Sequence, residues 1–160
     1  MAFSLGLYFS IIPWTDHYKN SIQNRKAVPP LKKDRNFNLT ISEDQLHKLY
    51  SGLMRHDLLN SEKTNLQDFK NVLTKNWIDH NSKIHFNMDG PSCREFYEYL
   101  VKTFPNNTMT LKNLISSKLF IRADGKFYKY NTLKNAPTKT LYSKNYKEMQ
   151  QIFDKIGGNF

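Results

Sequence analysis

Apolar residues recur three and four residues apart in four stretches of the chain, and a side chain able to cap a helix precedes each stretch. These capping side chains are Ser42 with Gln45, Thr64 with Gln67, Ser92 with Glu95, and Thr110. A Ser or Thr followed three residues later by Glu or Gln is typical of a helix N-terminus. The apolar stripes behind the caps are Leu46, Leu49, Tyr50, Leu53 and Met54; Leu66, Phe69, Val72 and Leu73; Phe96, Tyr97, Leu100, Val101 and Phe104; and Leu111, Leu114, Ile115 and Leu119. The pattern predicts four amphipathic helices, the third of which ends at Pro105.

Two shorter patterns predict β-structure. Residues 83–88 alternate between apolar and polar, which places Ile84, Phe86 and Met88 on one face of a strand. Farther along, Asp124-Gly125 separates two segments rich in aromatic and basic residues, and this dipeptide is typical of a two-residue hairpin turn. Such a turn pairs Arg122 with Phe127 and Ile121 with Tyr128. The predicted hairpin has an apolar face with Ile121, Ala123 and Tyr128 and a basic aromatic face with Phe120, Arg122, Phe127 and Lys129.

The patterns near the two ends of the chain predict an N-terminal segment followed by one domain. Near the N-terminus, alternating apolar residues indicate a half-buried strand; they are Phe3, Leu5, Leu7, Phe9 and Ile11. A polar, basic stretch that contains Pro29 and Pro30 follows and indicates a linker. After a Lys-rich loop around Pro137, a last apolar stripe predicts a helix from Tyr146 that Gly157 and Gly158 end. We expect an N-terminal segment and linker over residues 1–36 and a single domain over residues 37–160. The last helix packs on this domain or forms a homodimer.

Neither a transmembrane segment nor an export signal is predicted. The apolar stretch that ends at Ile12 is shorter than the roughly 20 residues that a bilayer-spanning helix needs. It also lacks the basic start and small-residue cleavage site of a secretory signal. Cys93 is the single cysteine, which excludes an intramolecular disulfide framework. These features favour a cytoplasmic protein.

The order of the predicted elements indicates a fold class. From residue 65 onward the order is helix, strand, helix, turn, helix and hairpin, which matches a winged-helix domain. We therefore expect an α+β, mainly helical fold: a winged-helix-like domain with a β-hairpin wing, an N-terminal extension and a C-terminal helix. In that arrangement the helix over about residues 110–119 enters the major groove of DNA, and the hairpin contacts the backbone or the minor groove.

The distribution of charge points to a polyanionic partner. The chain carries 24 Lys and Arg against 14 Asp and Glu, and residues 112–147 hold nine of these basic residues against one acid, Asp124. Lysines alternate there with Phe and Tyr, a mixture that suits phosphate neutralisation combined with stacking on bases. A soluble domain whose lysines are simply its solvated face is the plain alternative.

Ten residues are candidates for nucleic-acid contacts. Lys112, Asn113, Ser116 and Ser117 are positioned for base edges, and asparagine can bind adenine through two hydrogen bonds. Lys118, Arg122, Lys126 and Lys129 would neutralise phosphates, and Phe127 would stack or pack in a groove. Lys134 is a further basic candidate for a nucleic-acid contact. The prediction is a DNA-binding regulatory protein, with RNA as a possible ligand. The alternative is a protein-interaction module, an adaptor or inhibitor, that binds an acidic or nucleic-acid-binding partner through the same basic aromatic face.

Signatures of catalysis are missing from the sequence. His17, His47, His56, His80 and His85 show no metal-ligand spacing, and the chain contains no nucleotide-binding glycine loop or nucleophile elbow. Cys93 precedes an arginine at a predicted helix start, where a thiol pKa can fall, but no motif of a cysteine enzyme surrounds it. We expect a protein that is not an enzyme and that binds neither a metal nor a cofactor.

A segment of the chain resembles a known group of proteins. It comprises Leu49-Tyr50-Ser51-Gly52-Leu53, Asp57-Leu58-Leu59, Thr64-Asn65-Leu66-Gln67-Asp68-Phe69-Lys70 and Ile84-His85-Phe86 with the capped helix that follows. Over about residues 46–104 it is similar to proteins encoded on conjugative transposons, including RteC-type excision regulators. The strand departs from the tryptophan-glycine pattern of that group, with Phe86-Asn87-Met88-Asp89-Gly90 in its place. The resemblance implies a mobile-element regulator that binds DNA.

Overall fold

The computed structural model describes residues 35–139 and 142–157 of the chain. These residues form helices and two short strands in the order α1 (Glu43–Arg55), α2 (Leu66–Thr74), β1 (Ile84–Phe86), α3 (Gly90–Thr103), α4 (Leu111–Ser117), β2 (Phe120–Arg122), α5 (Tyr130–Lys134), α6 (Ala136–Lys139) and α7 (Tyr146–Asp154). The fold is mixed and mainly helical, as predicted. The predicted N-terminal strand and most of the linker lie outside the described residues. In the described ranges, no helix combines the length and apolar character needed to cross a membrane.

Helix α1 begins where its capping box predicts. The Ser42 hydroxyl accepts the backbone N–H of Gln45 at 3.2 Å, and the Gln45 side chain accepts the N–H of Ser42 at 3.0 Å. The leucines of its inner face, Leu46, Leu49 and Leu53, are all buried in the core. Two backbone donors are satisfied locally, so the helix start is fixed by sequence neighbours alone.

Helices α2 and α3 begin at different caps from those predicted. The cap of α2 is Asn65, whose side chain accepts the N–H of Asp68 at 2.8 Å. Thr64 is instead buried, and its hydroxyl accepts the N–H of His85 at 2.8 Å. The predicted cap at Thr64 is wrong by one residue, because a contact with the following strand engages that hydroxyl.

The predicted cap at Ser92 is also wrong, by three residues. Asp89 caps α3 by accepting the N–H of Ser92 at 3.0 Å, and Pro91 fits within the first turn, where a missing N–H costs nothing. The Ser92 hydroxyl is buried and donates to the Asn145 side chain at 2.8 Å. Glu95, the predicted box partner, accepts the hydroxyl of Ser143 instead.

The two strands pair with each other in parallel. The register aligns Ile84 with Phe120 and Phe86 with Arg122, and helices α3 and α4 form the connection between them. Phe86 and Phe120 stack with ring centroids 5.8 Å apart. Phe120 is therefore buried, and its predicted place on a basic aromatic surface is wrong, because β1 and the core cover it.

The predicted two-residue hairpin does not form. The N–H of Gly125 donates to the carbonyl of Arg122, and the N–H of Arg122 donates to the carbonyl of Lys126, both at 2.9 Å. These bonds enclose a three-residue loop whose last residue, Gly125, has a φ of +76° that favours glycine. A single bridge aligns Ile121 with Phe127, one residue away from the predicted pairing. The described residues after Phe127 form no strand, so the predicted β-hairpin wing is wrong. The predicted inward-facing Ala123 is exposed.

The predicted loop after Tyr130 instead forms short helices: α5 begins at Tyr130, the predicted end of a strand, and α6 ends at Lys139. Leu133 and Ala136 are buried, at 0% and 3% exposure, and this anchors a segment whose other described side chains, apart from Tyr130 and Pro137, are polar. Helix α5 packs against both α3 and α4, and α6 packs against α3. The single apolar residues were too sparse to show a helical period in the sequence.

Helix α7 packs back on the domain, as the first of the two alternatives predicts. Met149, Ile152 and Phe153 are buried, and α7 contacts α1 and α3. A Cβ atom at Gly52 would lie 3.0 Å from two carbons of Ile152, so glycine lets α1 and α7 approach closely. The apolar face of α7 is thus occupied inside the domain. That occupancy argues against the predicted alternative of a homodimer formed through this helix.

Candidate nucleic-acid interface

Helix α4 separates its apolar and polar residues by face. The Thr110 hydroxyl accepts the N–H of Asn113 at 3.1 Å and caps the helix as predicted. Leu111 and Leu114 are buried, whereas Lys112 and Ser116 are exposed. The helix therefore presents a polar surface that carries one positive charge near its N-terminus.

Lys118 adds a second charge where α4 ends. It adopts a left-handed conformation with a φ of +56°, and its N–H donates to the carbonyl of Ile115 at 3.3 Å. A lysine in this conformation costs about 1–2 kcal/mol relative to a right-handed one. The side chain is exposed. The backbone turn thus directs the chain from α4 into the buried strand β2 while leaving the ammonium group in solvent.

The three short polar residues predicted to contact base edges make hydrogen bonds within the protein. Asn113 donates through Nδ2 to the carbonyl of Thr108 at 3.3 Å. Ser116 donates to the carbonyl of Asn113 at 3.3 Å, and Ser117 donates to that of Leu114 at 2.8 Å. Asn113 and Ser117 are also only partly exposed. Each of these bonds uses one donor, which for the two serines is the sole side-chain donor, so the three side chains have less capacity to donate to base edges.

The loop after β2 contains the single acid of the basic segment. Arg122 and Asp124 form a salt bridge of 3.4 Å between side chains that are 40% and 41% exposed. Asp124 also accepts the backbone N–H of Lys126 at 3.1 Å, which stabilises the turn. Arg122 is therefore partly neutralised, and Lys126 is the exposed cation at this loop.

The remaining lysines lie on or beside elements that pack against one another. Helix α4 packs against β2 and against α5, and the loop after β2 joins β2 to α5 along the chain. Lys129 immediately precedes α5 and Lys134 is its last residue, and both are exposed. The five lysines at positions 112, 118, 126, 129 and 134 form no salt bridge with any other described residue. We call these five lysines the basic face.

Two aromatic rings accompany the basic face. Phe127 and Tyr130 are each 42% exposed, which is uncommon for large apolar side chains in a domain whose other aromatic residues are mostly buried. Tyr130 is one of the aromatic residues that alternate with lysines in the sequence, but it was not among the ten predicted contact residues. The alternation of aromatic and basic residues around it was nevertheless the correct signal that part of the segment remains exposed.

The titratable groups of the core offer no accessible nucleophile among the described residues. Burial raises the pKa of the Cys93 thiol well above its usual value, and Cys93 is fully buried. Burial also raises the pKa of the neighbouring Tyr128. Desolvation therefore outweighs the lowering of a thiol pKa that a helix start or a nearby arginine can cause.

The described histidines lie on α1, at its C-terminal end, in the loop before β1 and on β1. Within residues 35–139 and 142–157, no group of three or more His, Cys, Asp or Glu residues is arranged to hold a metal ion. His85 lies on β1, where partial burial, with Lys63 and Lys83 nearby, lowers its pKa. Its backbone N–H, rather than its ring, makes the contact with Thr64 that joins β1 to the start of α2.

A second basic region lies on another part of the domain, between α1 and α7. A cavity of about 400 Å³ is lined there by His47, Lys48, Ser51, Gly52, Arg55, His56, Ile152 and Lys155. Sequence reasoning missed it, since the helix faces were assigned only by their apolar residues. The signal was present in Lys48, Gly52 and Arg55, which lie four and three residues apart on one side of α1.

Comparisons with protein-family models, with curated proteins and with solved structures find no match for this chain. The resemblance to proteins of conjugative transposons therefore stays a prediction based on the residues that carry it.

Proposed function

We propose that this chain is a non-enzymatic protein that binds nucleic acid, with duplex DNA as its main ligand, through the basic face. The observation that carries the proposal is that five exposed lysines lie on or beside elements that pack against one another. These lysines belong to α4, to the loop after β2 and to both ends of α5.

The charges of the basic face suit contacts with phosphates. Each exposed ammonium group that meets a phosphate releases a condensed counterion, which favours binding most strongly at low salt. Lysine acts as a point charge with three donors and tolerates variable phosphate geometry. The basic face therefore binds the backbone with little discrimination between sequences. This fits a surface on which Asn113 and Ser117 are already hydrogen-bonded within the protein.

The exposed rings provide a second kind of contact. Phe127 follows Lys126 and Tyr130 follows Lys129, so each ring lies next to a cation of the basic face. Aromatic rings beside a cationic surface pack against sugars or stack on unpaired bases. We infer that Phe127 and Tyr130 strengthen binding at distorted or single-stranded sites more than at regular duplex.

The proposal keeps part of the winged-helix comparison. Helices α3 and α4 followed by a strand and a tight turn retain the order of elements in that fold, with the wing reduced to the loop at Ala123–Gly125. In this arrangement α4 lies along the DNA and Lys126 contacts the backbone beside it. A regulatory role on a mobile element in the cytoplasm is the biological setting that the sequence resemblance favours.

An acidic protein is the alternative partner. The exposed Phe127 and Tyr130 specifically favour this second candidate, because interfaces between proteins are enriched in aromatic residues at their centre. An acidic surface would pair with the same five lysines. The two candidates differ in their response to a flexible polyanion without bases, which offers charge but neither phosphate nor a stacking surface.

Fluorescence anisotropy with labelled ligands tests the proposal. The ligands are a random-sequence DNA duplex, a single-stranded RNA and a polyglutamate peptide of equal charge, each at low and at physiological salt. We expect the duplex to bind more tightly than polyglutamate, and Lys126→Glu/Lys129→Glu to abolish duplex binding. Equal binding of duplex and polyglutamate would favour the acidic protein partner, and absence of binding to both nucleic acids would overturn the proposal.

A control variant separates local contacts from total charge. Lys63→Glu/Lys75→Glu changes the net charge by the same amount at two exposed lysines outside the basic face. We expect this variant to retain most of the duplex affinity of the natural chain. A loss equal to that of the Lys126/Lys129 variant would mean that the chain binds DNA through overall charge and not through the basic face.

A further inference from the structure

We propose that the cavity between α1 and α7 is a separate binding site for the phosphate groups of a small molecule of nucleotide size. The cavity of about 400 Å³ has the volume of a small-molecule site and exceeds the space that inorganic phosphate fills. Its lining brings together Lys48, Arg55 and Lys155 from two helices. Arg55 supplies a planar fork of donors that matches phosphate oxygens, and the lysines supply point charges.

The acidic side chains near this cavity form a hydrogen bond to another part of the domain or a weak surface salt bridge. No described carboxylate lines it. Asp44 pairs with Lys48 at 2.6 Å, but the side chains are 71% and 51% exposed, and such surface pairs contribute little energy. Asp57, which follows α1, accepts a hydrogen bond from Asn87 at 3.0 Å. A phosphate that enters the cavity can therefore compete for Lys48 without meeting a fixed negative charge.

Carbonyl groups near the C-terminal end of α1 accept hydrogen bonds within the protein, which weakens their repulsion of an anion. The carbonyls of Gly52, Leu53 and Met54 accept the N–H groups of His56, Leu58 and Asp57 at 3.3, 2.9 and 3.1 Å. Local hydrogen bonds thus satisfy the acceptors that a helix C-terminus usually leaves unpaired. The partial negative charge of the helix end is further offset by Arg55 beside it.

The lining of the cavity suits a ligand that has an apolar part in addition to its phosphate groups. Gly52 and Ile152 contribute an apolar part of the lining, where α1 and α7 pack against each other. A larger residue at position 52 would require the Ile152 side chain to shift, so the glycine lets the helices lie close together beside the opening. The apolar part suits a ring or a sugar, whereas Arg55 and Lys155 suit the charged end of the same molecule.

Nuclear magnetic resonance on the ¹⁵N-labelled chain tests this site with four probes. The probes are ATP without added divalent cation, sodium tripolyphosphate, adenosine and a short DNA duplex. We expect ATP and tripolyphosphate to shift the amides of His47, Ser51 and His56, and adenosine to leave them unchanged. The proposal is overturned if neither phosphate probe shifts these amides, or if the duplex shifts them and ATP does not, because the phosphates would then belong to nucleic acid.

Two matched variants complete the test by titration calorimetry. Arg55→Gln/Lys155→Gln should weaken ATP binding about tenfold or more, through loss of charge-assisted hydrogen bonds. Lys63→Gln/Lys75→Gln carries the same change of charge outside the cavity and should stay within about twofold. Equal affinities of the two variants would contradict the site. Lys126→Glu/Lys129→Glu should bind ATP normally, so the outcome is independent of the nucleic-acid proposal.

Discussion

The hydroxyl of Tyr128 donates a hydrogen bond to the carbonyl oxygen of Met88, 2.8 Å away in the interior of the domain. Tyr128 is only 4% exposed, and it follows the single bridge that Phe127 makes with Ile121. The bond draws the chain after this bridge toward the end of β1 and away from β2. It explains why the predicted wing is reduced to one loop, and it fixes the start of α5, whose residues complete the basic face.

Replacing this tyrosine should therefore destabilise the domain. Tyr128→Phe keeps the ring but leaves the Met88 carbonyl without its donor, which costs about 1–3 kcal/mol for a buried group. The free energy of unfolding, measured by urea denaturation, checks this expectation. Tyr130→Phe is the matched control, because the Tyr130 side chain is 42% exposed and should change stability by less than about 0.5 kcal/mol. Equal stability of both variants would remove the anchoring role of Tyr128.

Core substitutions should lower the stability of the domain much more than surface substitutions. Phe96 and Leu114 are 0% and 1% exposed, so Phe96→Ala and Leu114→Ala should each cost about 2–5 kcal/mol through the cavities they create. Lys126→Ala removes an exposed side chain and should leave stability nearly unchanged. Thermal melting curves of the three variants check the contrast. Similar melting temperatures would contradict the assignment of inner and outer faces.

The cap of α2 provides a test of the corrected helix start. Asn65→Ala removes the side chain that accepts the N–H of Asp68 and should cost about 1 kcal/mol. Gln67→Ala removes only an exposed hydrogen bond to Asn71, so a few tenths of a kcal/mol are expected. Urea denaturation distinguishes the two. A larger effect at Gln67 than at Asn65 would restore the capping box that the sequence first indicated.

Stability should fall as the pH becomes alkaline. The pKa values of Cys93, Tyr99 and Tyr128 are all raised in the folded state, chiefly by burial. The folded chain thus holds protons that the unfolded chain releases, so this stabilisation is fully present below the unfolded values and decreases above them. These values are 9.0 for the thiol and 10.0 for the tyrosines. Unfolding free energies at pH 7, 9 and 10.5 should decrease across this series.

Tyr128→Phe provides the control for that series. It removes one of the buried groups that titrate only after unfolding, so its stability should depend less steeply on pH above 10 than that of the natural chain. His85 affects stability at acidic pH instead. Its pKa is lowered in the folded state, so its contribution to stability is lost as the pH falls below 6.5. A stability that rises between pH 9 and 10.5 would contradict the burial of these groups.

The sequence predicted the local parts of the fold better than the long-range ones. Helix α1 was predictable because its capping box involves only Ser42 and Gln45, three residues apart. The start of α2 was not, because Thr64 contacts His85 on a later strand. Likewise, the Asp124-Gly125 signal predicted a turn correctly, but the pairing of β2 with β1 depends on the core around Phe86 and Phe120.

The candidate interface was predictable to a similar extent. Lysines of the basic face are exposed as expected, since long charged side chains seldom become buried. The engagement of Asn113 and Ser117 in local hydrogen bonds was not visible in the sequence, because the same residue types serve caps, turns and binding sites equally well. The proximity of α4 to α5 also depended on the burial of Leu133, a single apolar residue in a polar stretch.

The most direct measurement is the salt dependence of duplex DNA affinity for the natural chain and for Lys118→Ala, Lys126→Ala and Lys134→Ala. Five phosphate contacts would give a slope of log K against log salt of up to about −4.5. Each single variant should reduce its magnitude by about 0.9, whichever element carries the lysine. Slopes equal to that of the natural chain in all three variants would contradict the claim that α4, the loop after β2 and α5 form one nucleic-acid-binding surface.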